Sequence, residues 1–276
     1  MKFAFQFQSV PVFPVIQIEG MIAPDGNLRK NCVNYKSLDE PLKIAFTRYD
    51  SPSVGLLINS PGGSPSQTEA LATYIRALSK IYKKKVIAFA EDLMTSGAYY
   101  LACTASEIYV CETSIVGSIG VIMKSFEFAE AMKKLGVKRR IISKGKNKAL
   151  LDPFVPESSE NRQIIEEVLT DVQRNFVEWV LTNRGKKIRL DKDEMATGRI
   201  WTGKQAVELG LADGIMTLHE YVITKISPEA KIVFLPKKSG IISLGFGFIN
   251  EMIDAVTTKL SEKIDILFNS PNSFLR

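Results

Sequence analysis

Val54-Gly55-Leu56-Leu57-Ile58-Asn59 is an almost unbroken apolar run, and it stops at Ser60-Pro61-Gly62-Gly63. A short run of this kind reads as a strand covered on both faces, because a half-exposed strand alternates apolar with polar residues. Pro-Gly-Gly then breaks it sharply. From about residue 66 to 81 the spacing turns helical, with Leu71, Ile75 and Leu78 on one face. A strand buried on both sides, followed at once by an amphipathic helix, calls for a sheet with layers on both faces. That restricts the chain to an α/β architecture.

The alternation recurs along the sequence. A strand is predicted over 15–18, a polar loop over 23–37 and a short helix over 38–48. Beyond the first buried strand come a second over 85–90, a short apolar helix over 97–105, a strand over 107–111, a helix over 126–135 and a strand over 138–142. Strands separated by helices need crossover connections, so the sheet should be largely parallel. Residues 158–184 read as one long amphipathic helix whose stripe is Ile165, Leu169, Val172, Phe176, Trp179 and Val180. Ser158 or Ser159 suits its start and Gly185 its end. Thr202 caps a further helix over 203–209, stopped by Gly210. Residues 249–268 return to helical spacing, with Ile249, Ile253, Val256, Leu260, Ile264 and Leu267 on one face. That face suits packing on its own domain, on another copy, or on a membrane surface. The domain reading is one α/β domain over 1–235 and an amphipathic helical extension over 236–276.

With 276 residues, 45% of them hydrophobic, the chain can bury a full core without disulfides or a structural metal. Its cysteines, Cys32, Cys103 and Cys111, are odd in number and form no CxxC. This argues against a disulfide framework and a zinc site, and no metal or other cofactor is expected. A formal net charge of +6 comes with basic clusters at residues 83–85 and 133–140. These read as solvated ends of helices and strands, with anionic lipid headgroups as the sharper alternative. Without aromatic interleaving or a known motif, nucleic acid is not an expected partner. Gln6, Gln8, Pro11 and Pro14 interrupt residues 1–18, which do not read as a secretory leader. No run of about 18 apolar residues predicts a membrane-spanning helix. The expected location is the cytoplasm, with peripheral membrane contact as the variant the basic clusters would favour.

Three segments carry chemistry. In Asn59-Ser60-Pro61-Gly62-Gly63 the glycines let backbone approach a ligand closely, and their N–H groups can face a developing oxyanion. The C-terminal end of a parallel strand is where open α/β sheets bind ligands. In Met94-Thr95-Ser96-Gly97-Ala98-Tyr99-Tyr100, Ser96 stands between a strand and a helix, where amides and the helix dipole favour negative charge. It reads either as a nucleophile or as a plain N-cap. In Ser143-Lys144-Gly145-Lys146-Asn147-Lys148-Ala149-Leu150-Leu151-Asp152-Pro153, Lys148 precedes an apolar stretch. An amine held among apolar groups has its pKa lowered, and only a neutral amine can take a proton from serine. The single histidine, His219, lies far along the chain in Thr217-Leu218-His219-Glu220-Tyr221. A lysine is therefore the more natural base for Ser96 than a Ser-His-Asp arrangement.

Taken together, these segments resemble the signal peptide peptidase A (protease IV) family, within the ClpP/crotonase superfamily. The matching stretches include Leu57 to Gly63, Thr95 to Tyr100, Ser114-Ile115-Val116-Gly117-Ser118-Ile119-Gly120-Val121, Gly145 to Lys148 with Pro153, and Gly198-Arg199-Ile200-Trp201-Thr202-Gly203-Lys204-Gln205-Ala206. The resemblance spans roughly residues 12–220. It implies a fold of repeated β-β-α units and a serine endopeptidase with Ser96 as nucleophile and Lys148 as base. It also implies Ser118 as partner of the Lys148 amine, and the N–H groups of Gly63 and Gly97 as oxyanion donors. An extended peptide would lie along Gly62, Ser64 and Pro65. The implied substrates are apolar or unstructured peptides such as signal-peptide remnants. The implied assembly is a homo-oligomeric ring in which serine and lysine come from neighbouring subunits. Gly97-Ala98 stands where the family more often has two glycines, and the membrane anchor of better-known relatives has no counterpart in the sequence. The competing readings are a non-catalytic oligomeric scaffold, with Ser96 as a cap, and a crotonase-like acyl-CoA enzyme using the same amides.

Overall fold

The computed structural model describes residues 10–24 and 32–236. The extension expected from residue 236 onward, including the amphipathic pattern over 249–268, lies outside them apart from its first residue. Among the described residues, eight strands form one sheet: β1 (Val12–Glu19), β2 (Ser53–Ser60), β3 (Lys85–Thr95), β4 (Glu107–Val110), β5 (Ile115–Gly117), β6 (Ile200–Thr202), β7 (Gly214–Ile215) and β8 (Lys231–Leu235). Their order is β6-β5-β3-β2-β1-β8, with β4 on β3 and β7 on β4. Among these described strands only the β5–β6 pairing is antiparallel. The helices are α1 (Tyr35–Thr47), α2 (Pro65–Tyr82), α3 (Gly97–Ala102), α4 (Ala129–Lys134), α5 (Ser159–Arg184), α6 (Lys192–Met195), α7 (Gly203–Glu208) and α8 (Leu218–Tyr221). This mostly parallel α/β sheet fits the ClpP/crotonase-like fold expected from the sequence.

The pleat divides the core in two. On one face Ile16, Ile18, Leu56, Ile58, Val86 and Ala88 pack with Leu38 and Leu42 of α1, Leu71 and Ile75 of α2, Ala98 and Tyr99 of α3, and Phe176 and Val180 of α5. On the other, Phe13, Val15, Leu57, Ile87 and Phe89 pack against Leu218, Tyr221 and Val222. Burying each such Leu, Ile or Phe contributes about 1.5–3 kcal/mol, so the doubly covered β2 is the most constrained element of the sheet. β3 carries two neighbours on the same edge: residues 87–89 pair with β4 and residues 93–95 with β5. The Ser114 hydroxyl bridges the gap, donating to the Glu91 carbonyl and accepting the Cys111 N–H.

Local signals explain most boundaries. α1 begins at Tyr35, ahead of the expected start, because Asn34 and Ser37 cap each other's backbone N–H groups. α5 starts where Ser158 accepts the Asn161 N–H and ends at Gly185. Two expectations need correcting. Residues 138–142 form no strand, and the helix expected over 126–135 contracts to α4. Most side chains between 122 and 148 are exposed, so among the described residues the apolar spacing there finds no neighbour to fix it.

A buried ion pair ties the C-terminal end of α5 to β4. Arg184 donates to Asp213 Oδ2 at 2.7 Å, Lys187 donates to Asp213 Oδ1 at 2.6 Å, and the Ile108 N–H donates to Oδ2 at 2.8 Å. Burial opposes ionisation of Asp213, but the Arg184 and Lys187 hydrogen bonds outweigh it and hold the carboxyl below its ordinary range. A carboxyl depressed on folding contributes stability that is present above its ordinary pKa, near 4, and is lost as pH falls below it. Asp213→Asn should therefore lower unfolding free energy at pH 7 by about 3 kcal/mol and flatten the loss of stability below pH ~4. Denaturant titrations at pH 7 and pH 3 check this; an acid limb as steep as the wild type's would contradict it.

Candidate active site

β2 delivers the first half of the site. After Ser60 the chain turns through Pro61 into Gly62 and Gly63, at φ +86° and +152°, and Pro65 opens α2 at its first turn. The turn is held from one side by Ile22: the Ile22 N–H donates to the Gly62 carbonyl at 2.9 Å and the Ser64 N–H donates to the Ile22 carbonyl at 2.7 Å. Backbone groups alternate sides along an extended segment, so this pairing turns the Gly63 N–H away from Ile22. A Cβ at Gly63 would overlap the Ile22 carbonyl, which makes glycine obligatory there. The Ser64 amide is engaged with Ile22, the Gly62 N–H is donated to Ser60 Oγ at 3.1 Å and Pro65 has none, so the three expected peptide-binding positions have no free N–H to offer.

β3 delivers the second half. Ser96 follows Thr95 with φ 53° and ψ −126°, at the N-cap position of α3, yet its side chain makes no capping hydrogen bond. A non-glycine residue in such a region costs about 1–3 kcal/mol and persists only where its surroundings enforce it. The Ser96 N–H donates to the Gly117 carbonyl at 2.7 Å, and its own carbonyl accepts the Tyr100 N–H at 3.1 Å. The result is a half-buried serine whose hydroxyl is not used by the helix it precedes.

The two halves touch. A Cβ at Gly62 would stand 2.5 Å from the Gly97 nitrogen and 2.9 Å from the Ser96 Cβ, and one at Gly97 would stand 3.4 Å from the Gly63 nitrogen. The Gly63 and Gly97 amides thus lie beside the Ser96 side chain. Thr68, buried on α2 with its hydroxyl donated to the Ser64 carbonyl, closes the space beside Gly97. Neither Ile22 nor Thr68 was identified from the sequence. Ile22's contact comes through its backbone and leaves no mark on residue type. Thr68 lies on the first turn after Pro65, the one local hint it carried.

β5 brings Ser118 alongside. Ser118 also has φ 53°, and its N–H donates to the Arg199 carbonyl at 2.7 Å. Trp201 lies against Gly117, where any side chain would collide with its ring. Lys148 is placed differently from the sequence expectation. It is exposed, in a turn-rich segment where Ala149 and Leu150 are half-buried and Leu151 is exposed. Among the described residues its amine meets neither Ser96 nor Ser118, and the apolar enclosure expected for it is not formed within one chain. His219 lies on α8, lining a cleft of about 310 Å³ with Leu57, Phe89, Asp92 and Cys111. Ser96 is not part of that cleft. Cys103, on the far side of α3, is fully buried, and burial pushes its thiol up to about 12, as for an inert packing residue.

Sequence comparison adds an independent line. Residues 79–232 match the profile of peptidase family S49. The chain is 34% identical over 229 residues to a protein of Brucella abortus named Na(+)/H(+) antiporter NhaA, a match covering 83% of this chain and 31% of that protein. It is 35% identical over 177 residues to a Methanocaldococcus jannaschii protein provisionally named a protease, covering 64% of this chain and 56% of the other. It is 32% identical over 192 residues to the chloroplastic serine protease SPPA of Arabidopsis thaliana, covering 68% and 27%. The chain therefore spans less than two thirds of each of these relatives. The antiporter name describes a protein of which this chain matches under a third, and no helix among the described residues is long and apolar enough to cross a membrane.

The unused hydroxyl argues against a capping role for Ser96. Ser96→Ala should change unfolding free energy by no more than about 0.5 kcal/mol, whereas loss of a working N-cap costs about 1 kcal/mol. Gly63→Ala, by contrast, should destabilise the fold by well over about 1 kcal/mol through overlap with Ile22. Equilibrium denaturation of both variants tests the pair; a costly Ser96→Ala would return Ser96 to a capping role.

Proposed function

This chain belongs to peptidase family S49, and from that premise we propose that it is a serine endopeptidase with Ser96 as nucleophile and Lys148 as general base. The observation that carries the reading is the Ser96 hydroxyl, free of capping duty on a strained backbone and flanked by the Gly63 and Gly97 amides. An extended peptide lies along Gly62 to Pro65. Ser96 Oγ attacks the scissile carbonyl carbon while its proton passes to the neutral Lys148 Nζ. The Gly63 and Gly97 N–H groups hold the oxyanion, each such donor being worth about 3 kcal/mol. The intermediate collapses, Lys148 protonates the leaving amine, and water then releases the acyl group from Ser96. Ser118 accepts a hydrogen bond from the Lys148 amine and orients it. Apolar or unstructured peptides, signal-peptide remnants among them, are the proposed substrates.

Lys148 reaches Ser96 from a neighbouring copy in a homo-oligomeric ring. The support is the exposed segment that carries it. Ile122, Phe126, Leu135 and Ile142 are 73%, 78%, 74% and 102% exposed, far more apolar surface than a segment in water keeps without a partner. The same segment bears Lys133, Lys134, Lys138 and Arg140, while the first half of α5 bears Glu166 and Glu167 beside Glu160 and Asp171, which pair with Lys146 and Arg174 of their own chain. Docking one copy's basic segment on the next copy's acidic helix would satisfy both charge and burial, and would enclose the Lys148 amine among apolar groups.

Mixing Ser96→Ala and Lys148→Ala chains tests this arrangement. Sites shared between subunits predict recovery of peptide hydrolysis in the mixture, toward a quarter of the wild-type rate or more, from two inactive parents. No recovery in a mixture shown to exchange subunits would contradict it. Because the base must be neutral, the wild-type rate should climb from pH 6 towards pH 10. A maximum near pH 5 would remove lysine from the mechanism.

A further inference from the structure

Behind α3 lies a buried truss that the mechanism above does not use. Tyr99 is fully buried and its hydroxyl donates to the Leu211 carbonyl at 2.9 Å, across 112 positions of sequence. Leu211 belongs to the sharp turn after α7. Gly210 takes φ +76° there, with Lys187 packed so closely that any side chain would collide with its carbonyl. Arg184 holds that turn with both remaining arms of its guanidinium: Nη2 and Nε donate to the Gly210 carbonyl at 2.9 and 3.2 Å, while Nη1 donates to Asp213. Asp213 is fastened in turn to β4 through both its backbone and its carboxylate, which exchange hydrogen bonds with Ile108.

The truss meets the site at two points. Tyr99 lies on the first turn of α3, whose N-terminus carries Ser96 and the Gly97 amide. The Gly210–Asp213 turn also closes α7, through Leu211 and Ala212 N–H groups donated to the Ala206 carbonyl. α7 follows β6 directly, and β6 pairs with β5, which Ser118 immediately follows. Ser96 and Ser118 are two of the three described non-glycine residues with positive φ, and strain of that kind needs an over-determined surrounding. Resting on the peptidase reading of Ser96, we propose that Tyr99, Arg184 and Asp213 are positioning residues, which set the N-terminus of α3 against β5 so that the Ser96 hydroxyl and the Gly97 amide meet the scissile carbonyl in register.

The geometry favours positioning over mere stabilisation for one reason. The Tyr99 hydroxyl bonds a carbonyl of the turn rather than of its own helix, so removing it frees α3 to shift while its ring still fills the core. Misplacement of a reacting group by less than an ångström lowers turnover, leaving binding of the rest of the peptide largely intact.

The test compares Tyr99→Phe, Arg184→Lys and a control, Tyr109→Phe, which removes a tyrosine hydroxyl donated to Glu107 on the opposite face of the sheet. Steady-state peptide hydrolysis, thermal unfolding and amide hydrogen exchange are measured on each. Tyr99→Phe should lower kcat about tenfold with KM within twofold of wild type, and should speed exchange over residues 96–103. Arg184→Lys should do the same to a lesser degree. Tyr109→Phe should lower Tm yet leave kcat and exchange over 96–103 at wild-type values. Should Tyr99→Phe lose thermal stability while keeping wild-type kcat and exchange, the truss only holds the fold and the proposal is overturned. Should the wild type cleave no peptide, the peptidase reading fails by itself. The exchange data then still decide whether the truss sets α3, and equal exchange in Tyr99→Phe and Tyr109→Phe overturns it.

Discussion

A Cβ on Gly62 would stand 2.5 Å from the Gly97 nitrogen, closer than any real side chain comes. The near-contact of these two backbone turns is the constraint from which the rest of the site follows. It exists because β2 and β3 are parallel neighbours that end side by side, with Ile58 opposite Ala90 and Ser60 opposite Met94 after an irregular step in register. Each strand then opens a helix at the same end of the sheet, and the two turns are forced together. Ile22 takes the outer edge of the Gly62 to Ser64 segment, so the Gly63 amide faces inward. Backbone packing alone thus brings the Gly63 and Gly97 nitrogens beside the Ser96 side chain.

That arrangement carries strain, and the fold meets it with packing. Ser96 and Ser118 sit in a region costing about 1–3 kcal/mol each, and both are locked by 2.7 Å backbone hydrogen bonds to Gly117 and Arg199. Trp201 fills the space over Gly117. The other wall is α5, docked on α3 by stacking of Trp179 on Tyr100 at 4.6 Å and by the indole N–H donated to the Tyr100 carbonyl. The packing of α5 on α3 thus helps fix the backbone that carries Ser96.

How far the sequence revealed this depends on the kind of contact involved. The doubly buried β2 was legible because its apolar run has one reading, and the caps of α5 and α7 were legible because Ser158 and Thr202 act within their own turn. Ser96 is ambiguous in sequence, because a cap and a nucleophile use the same residue type in the same place; the backbone angles and the absence of a capping hydrogen bond speak only to the cap. The strand expected over 138–142 failed because apolar spacing records that a face wants cover without saying that the chain supplies it. The apolar stretch after Lys148 is a case of the same kind: Leu150 and Leu151 follow it in sequence, and among the described residues they leave it exposed. Ile22, Arg184 and Asp213 act across the sheet through backbone atoms or a partner far along the chain, so no local pattern announced them.

We propose Ser96 as the one hydroxyl of this chain activated for attack on a carbonyl. Reaction of the full chain with a fluorophosphonate, followed by intact mass and peptide mapping, measures this directly. The account predicts one adduct per active chain, located on Ser96 and absent from Ser96→Ala. An unmodified chain in its native assembly, or an adduct that persists on another residue such as Ser118 in Ser96→Ala, would contradict it.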